Sequence, residues 1–177
     1  MIARTVLTYD QLQAVPEDGL RRELLGGDLY VTPAPSPVHQ RVVGRVYMVL
    51  DAYARSRGGE ALVSPVDVVF ASTDAVQPDV LYIEAERLSI IGPKNIQGAP
   101  SLVVEVVSPS SSDVDPGPKL ELYARYCVPE YWIVEPGSDT ITAYARPSAA
   151  RYAETRVSTD GCIEAITLAE LRFSLKP

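Results

Sequence analysis

The run Leu102-Val103-Val104-Glu105-Val106-Val107 constrains the fold more than any other part of the chain. Along a strand, residues 103, 105 and 107 point to one face and 102, 104 and 106 to the other. Both faces are apolar except at Glu105, the pattern of a central strand covered on both sides. A chain with such a strand needs layers above and below its sheet, which points to a mixed α/β or α+β domain with a central mixed sheet flanked by helices. Glu105 also constrains function. A lone carboxylate in an apolar layer is far more costly than a neutral polar group and tends to take up a proton unless a cation stands beside it. That cation is a core arginine or lysine if the role is structural, and a bound metal if the role is chemical. The chemical reading is the expectation pursued below.

The chain has 177 residues and is 46% hydrophobic, enough for one core, so one domain over 1–177 is expected. A net charge of −7 argues against a surface that binds polyanions everywhere. It leaves room for a local basic groove, or for carboxylates gathered around metal ions. Cys127 and Cys162 form neither a disulfide framework nor a zinc motif, and are expected as small buried hydrophobes in a reducing cytoplasm. The N-terminus has no signal-peptide stretch, and no run approaches the ~18–20 apolar residues that span a membrane. A soluble, cytoplasmic protein is expected.

The pattern along the chain is legible in part. Thr8-Tyr9-Asp10-Gln11-Leu12 predicts a short capped helix. Arg22 to Leu25, Gly26-Gly27 and Asp28 to Thr32 predict a β-hairpin turning on the glycines. Ser36-Pro37 predicts the start of a helix to about Arg57, with Val42, Val43, Val46, Val49, Leu50 and Tyr53 on its apolar face. Strands are expected at Glu60 to Val63, Val66 to Phe70, Val80 to Ile83, Leu102 to Val107 and Glu130 to Val134, with Ala71 to Gln77 a polar loop and Glu84 to Pro100 an irregular link. A helix capped by Asp115-Pro116 should carry Leu120, Tyr123, Ala124 and Cys127 on one face. Three more β segments follow, at 140–145, 152–157 and 161–166, and Leu168 to Leu171 suits a last helical turn.

Asp79 stands at the entry to the apolar strand Val80 to Ile83 and is the natural partner for Glu105. Carboxylates on adjacent strands can share a Mg²⁺ ion, which takes oxygen ligands and keeps several waters. The plainer reading of Pro78-Asp79 is turn chemistry. Lys119 falls in the first turn of its helix, where the helix dipole disfavours a cation by a few tenths of a kcal/mol (~0.3). It borders the apolar face, so it can point at the strand ends instead of at solvent.

These features together resemble a known group. Pro78-Asp79 followed by Glu105-Val106-Val107 on the next strand, with a helix before and a helix plus strand after, resembles the PD-(D/E)XK nuclease superfamily. Four runs resemble, more narrowly, the bacterial Uma-type putative restriction endonuclease family: Glu23 to Leu29, Pro35 to Gln40, Gly98 to Ser110, and Lys119 to Ala124 continuing through Val128 to Val134. The resemblance implies a restriction endonuclease-like core with an extra N-terminal hairpin and C-terminal β segments. It implies Asp79 and Glu105 as ligands of Mg²⁺ or Mn²⁺, DNA as partner and phosphodiester hydrolysis as activity. The superfamily's usual lysine lies two residues after the glutamate, where this chain has Val107. The resemblance implies that Lys119 supplies that ammonium from the following helix. Glu23 matches a further acid of the family and would complete the catalytic set; its plain alternative is a solvent-facing strand glutamate.

Other candidates are weaker. His39, the one histidine, suits helix capping or the surface better than catalysis. A Ser-His-Asp hydrolase would have to use Ser108 or Ser110, and no Gly-x-Ser-x-Gly elbow is present. Tyr123, Tyr126, Tyr131 and Trp132 are expected in the core, with Tyr123 leaning over the site. Arg21, Arg22, Arg41 and Arg45 are the best candidates for a phosphate-facing patch. A homodimer is expected, with Tyr144 and Tyr152 on its interface. The rival to a nuclease is an inactive scaffold that binds DNA or protein, favoured by Val107 and the acidic net charge.

Overall fold

A computed structural model describes residues 6–16, 18–107 and 117–176. Helix α1 (Tyr9–Gln13) is fixed by a capping box between Thr8 and Gln11. Strands β1 (Arg21–Leu25) and β2 (Asp28–Thr32) form the expected hairpin, with Leu25 paired to Asp28. Its turn needs two left-handed residues, and Gly26 and Gly27 supply them at φ 60° and 80°. Helix α2 (Pro37–Arg57) starts where Ser36 Oγ accepts a bond from the His39 amide at 3.2 Å, with proline in the first turn. It buries Val42, Val43, Val46, Leu50 and Ala54, spaced as the helical period requires.

Strands β3 (Glu60–Val63), β4 (Val68–Ala71), β5 (Asp74–Val76) and β6 (Val80–Ile83) follow. The segment Ala71 to Gln77 is therefore no simple loop. It turns back as β5, and Asp74 is buried there because the Gly26 amide and the Tyr126 hydroxyl bond to it at 2.7 and 2.8 Å. The link expected between 84 and 100 holds a 3₁₀ turn at Ala85–Ile90 and a short β7 (Ile96–Gln97). Then come β8 (Leu102–Val106), helix α3 (Gly117–Arg125), β9 (Glu130–Glu135), β10 (Thr140–Ser148), β11 (Arg151–Ser158), β12 (Cys162–Glu164) and β13 (Arg172–Ser174). The last helical turn expected at 168–171 is a non-helical bend that brings β13 back onto β12. The Asp115-Pro116 cap lies outside the described residues, as do Ser108 and Ser110.

Among the described residues the strands make two large mixed sheets and a small hairpin. One sheet has the order β11-β10-β9-β8-β6-β3, with β8 parallel to β9 and its other neighbours antiparallel. The other runs β2-β1-β5-β4-β7. Strand β8 sits inside the first sheet, all five residues buried, as its two apolar faces demand. On one face Leu102, Val104 and Val106 pack with Trp132, Val134, α2 and the β12–β13 hairpin. On the other, Val103 packs with Tyr131, Ile133, Leu122 and Tyr123 of α3, and with Val68, Val76 and Ile96 of the second sheet. The second face is thus covered by a short helix, as expected, and also by a sheet. A nine-residue helix is too small to cover six strands, and the N-terminal hairpin with β4, β5 and β7 fills the rest.

Both cysteines are exposed, against expectation. Cys127 takes the left-handed position that ends α3, at φ 57°, while the Val128 amide bonds back to the Tyr123 carbonyl at 2.9 Å. Cys162 faces out because the strand alternation turns Ile163 inward. No described helix is long and apolar enough to cross a membrane.

Candidate active site

The link from β5 to β6 carries the chain from one sheet to the other, and Asp79 lies on it immediately before β6. Glu105 reaches the same place from β8, Glu23 from β1 and Lys119 from the first turn of α3. All three carboxylates are buried, at 3% exposure for Glu23 and Asp79 and 8% for Glu105. The Lys119 ammonium donates to Glu105 Oε1 and to Glu23 Oε1, both at 2.8 Å. The three acids and the lysine singled out in the sequence thus come together from β1, β8, α3 and the link before β6. Lys119 reaches the site because positions 119, 122 and 123 share one helix face, and Leu122 and Tyr123 are the buried anchors of that face. The face differs from the expected one: Cys127 is not on it, and Leu120 is only partly buried.

Three further residues complete the cluster. Tyr123 donates its hydroxyl to Glu105 Oε1 at 2.8 Å, the position over the site expected of it. Arg21 was expected in a phosphate-facing patch; its guanidinium bonds Asp79 Oδ1 at 2.8 Å and lies 3.4 Å from Glu23 Oε1 and 3.5 Å from Glu105 Oε2. It also donates to the Gln77 carbonyl. His39 neither caps its helix nor faces solvent. Ser36 does the capping, and His39 Nε2 lies 3.1 Å from Asp79 Oδ2, which also accepts the Val106 amide at 2.8 Å. Simple periodicity holds the signal for both residues. Arg21 and Glu23 are two apart on one strand and so share a face. His39 is three and four residues before the buried Val42 and Val43.

The electrostatics follow from this packing. Burial would raise the Asp79 carboxyl, but the imidazole, the Arg21 guanidinium and the Val106 amide outweigh it and hold the group at about 2. Burial likewise opposes the charge on Glu23, and Lys119 and Arg21 overcome it, so its pKa is lowered. Glu105 goes the other way. Burial pushes it up and the neighbouring Asp79 and Glu23 charges add to the rise, against the pull of Lys119 and Arg21. Burial disfavours the Lys119 ammonium, but Glu105 and Glu23 raise its pKa and keep it charged.

Of the remaining arginines, Arg41 and Arg45 lie one turn apart on α2 and Arg22 lies on β1. Arg22, on the other face of β1, is bonded to Asp18; Arg41 is exposed; Arg45 donates to the Leu175 carbonyl near the C-terminus. Tyr144 and Tyr152 pack within the chain. Tyr144 stacks on Tyr131 at 6.0 Å, and Tyr152 donates to the Val128 carbonyl at 3.0 Å, and both stay partly exposed.

Among the described residues, no group of three or more His, Cys, Asp or Glu stands arranged to hold a metal ion as it is. Two carboxylate oxygens are nevertheless open to one. Oδ1 of Asp79 and Oε2 of Glu105 have no described partner except the Arg21 guanidinium. Lys119, Tyr123, His39 and the Val106 amide all take the other oxygen of each acid. One hard oxygen from each of two acids, beside a 20% exposed arginine, suits Mg²⁺ or Mn²⁺, which complete their shells with water and phosphate oxygen.

Comparison with known proteins places this arrangement. The fold is similar to the crystal structure of a putative nuclease belonging to DUF820 from Anabaena variabilis ATCC 29413, with a TM-score of 0.78 at 20% identity, covering 95% of this chain and 94% of that one. At that identity the likeness shows the fold. No curated protein matches the chain. The model of the Uma2 family, described as putative restriction endonuclease, matches residues 7–175, from the start of the described fold to past β13, and the chain belongs to that family.

Proposed function

We propose that this protein is an endonuclease that hydrolyses DNA phosphodiester bonds with Mg²⁺ or Mn²⁺. The observation that carries the reading is the Lys119 ammonium, 2.8 Å from both Glu105 and Glu23, beside Asp79 in one buried cluster. A structural ion pair needs one cation per acid. Here three acids, from β1, β8 and the link before β6, meet two cations, Arg21 and Lys119, whose side chains keep 20% and 21% of their surface in solvent.

Asp79 and Glu105 would hold the cation through Oδ1 and Oε2. Such a cation supplies Lewis acidity toward a phosphate oxygen and a lowered pKa for water. The protein groups have separate tasks. His39 and the Val106 amide bond Oδ2 of Asp79 and so aim Oδ1 at the opening. Tyr123 does the same for Glu105 by fixing Oε1. Lys119 orients the attacking water and offsets charge as it builds on the phosphate, a kind of stabilisation worth roughly 10²–10³ in rate. Glu23 and Glu105 hold that ammonium in place. Cutting both strands of a duplex takes two such sites, so the reading expects a homodimer, which sedimentation at micromolar concentration checks.

Plasmid nicking in Mg²⁺ or Mn²⁺ tests the reading. Asp79→Ala and Glu105→Ala should abolish cleavage, and Lys119→Met should lower it about 10²- to 10³-fold. Cleavage in EDTA, or full activity of the acid variants, would overturn it. Val107, in the place of the superfamily's lysine, favours one rival: a scaffold that binds DNA or protein without cutting. Calorimetry separates the two. Mn²⁺ binding that disappears in Glu105→Gln supports the enzyme, and no binding at millimolar Mn²⁺ supports the scaffold.

A further inference from the structure

We propose that Arg21 is a built-in stand-in cation: its guanidinium occupies the open oxygens of Asp79 and Glu105, and a divalent ion enters the site by displacing it. The proposal rests on the metal-dependent reading above and adds a competitor that the reading alone does not require.

The first observation is the division of the carboxylate oxygens. Among the described residues, every partner other than Arg21 bonds Oδ2 of Asp79 or Oε1 of Glu105. Arg21 alone approaches Oδ1, at 2.8 Å, and Oε2, at 3.5 Å. An ion and the guanidinium therefore want the same two atoms. The second is charge. With His39 counted as neutral, Glu23, Asp79 and Glu105 carry three negative charges against two positive ones on Arg21 and Lys119, which leaves one net negative charge. A divalent ion added beside Arg21 would turn this into an excess of one positive charge in a buried site. Exchanged for Arg21, the same ion leaves the site neutral. Low-dielectric surroundings favour the neutral outcome, so exchange is preferred to addition.

The third observation is that Arg21 can leave. It is the first residue of β1, follows the exposed Gly19 and Leu20, and keeps 20% of its side chain in solvent. Among the described residues its buried Nε has no hydrogen-bond partner, so one donor is unsatisfied inside and would gain water outside. Lys119 is as exposed, at 21%, but both of its bonds go to oxygens that the ion does not need. Of the two cations, one is built to stay and the other to yield.

Calorimetric titration with Mn²⁺ tests this on the wild type, Arg21→Ala, Arg21→Lys and Glu105→Gln, each checked for folding by circular dichroism in EDTA. Arg21→Ala should bind Mn²⁺ at least about tenfold more tightly than the wild type, with Arg21→Lys between them. Equal or weaker binding by Arg21→Ala, with a wild type that binds and loses binding on Glu105→Gln, overturns the Arg21 proposal and leaves the metal site standing. Absence of Mn²⁺ binding in both the wild type and Arg21→Ala overturns both. Nuclear magnetic resonance of the wild-type arginine Nε–H groups serves if Arg21→Ala does not fold. The Arg21 signal, assigned by its loss in Arg21→Lys, should move and exchange faster with water at saturating Mg²⁺; an unchanged signal there overturns the proposal.

Discussion

At the scale of single residues, two acids that share one site have opposite effects on stability. Asp79 is held at about 2 against an ordinary 3.8, so its charged form is favoured by folding. Its contribution, about 2 kcal/mol, is complete above pH ~4 and is lost as pH falls toward ~2. Urea unfolding between pH 5 and 2 should show that loss, and Asp79→Asn should flatten it; an identical pH dependence in the variant would contradict the assignment. Glu105 is raised, so folding favours its protonated form, and stability falls as pH rises from the ordinary carboxylate range to the raised value. Glu105→Gln removes one of three buried negative charges and leaves Glu23 and Asp79 balanced by Lys119 and Arg21. A gain of about 1 kcal/mol at pH 7 corresponds to about 3 °C in a chain of this size. The metal-free variant should melt that much higher than the wild type while losing Mn²⁺ binding. A lower melting temperature would show that Glu105 is a structural ion-pair partner first.

Among the elements, helix α3 brings Lys119 to the acids, and under the proposed function it would do the work of a lysine at the end of β8. Val107 follows β8, its amide bonds the Val134 carbonyl at 2.9 Å, and its side chain packs with the apolar cluster under α3. Lys119 enters the same region from the helix. In a Lys119→Met background, Val107→Lys should therefore recover at least about tenfold of the lost cleavage, because an ammonium on a long flexible stem can reach the acids from either backbone point. No recovery would show that the helix sets the ammonium's angle as well as its reach. The site was legible in the sequence wherever a residue broke a local pattern. Glu105 interrupts an apolar strand, and Lys119 sits at a helix start the dipole disfavours. Arg21 and His39 were harder to read, since an arginine on a strand and a histidine in the first turn of a helix break no rule. The pairing of β1 with β5 and of β6 with β8, and the packing of α2 on that sheet, bring their partners within reach.

For the whole molecule, the longer elements were legible, while the short β5 and β7 and part of the layering were not. Periodicity marks α2 and the β8 strand. Nothing in Ala71 to Gln77 announces that β5 will join the N-terminal hairpin, because its pairing with Leu24 is a contact across some fifty residues. The same holds for Glu130, a second glutamate in a buried strand whose task is wholly structural. At 0% exposure it accepts from Trp132 Nε1 at 2.6 Å, from the amides of Ile166 and Thr167, and from the Thr167 hydroxyl. These bonds fasten the bend that returns β13 to β12, and with it Leu168, Leu171 and Phe173, which pack in the α2 core. Trp132 belongs to the α2 side of the sheet, whereas Tyr123 of the site belongs to the α3 side. Glu130→Ala leaves a buried indole N–H and two amides without an acceptor, so it should cost about 3 kcal/mol in urea unfolding. It should also open the 160–170 region to limited proteolysis. The Mn²⁺ affinity of the folded variant should stay at the wild-type value, since the sheet stands between Glu130 and the acids. Loss of metal binding at unchanged stability would reverse the assignment and make Glu130, too, part of the chemistry.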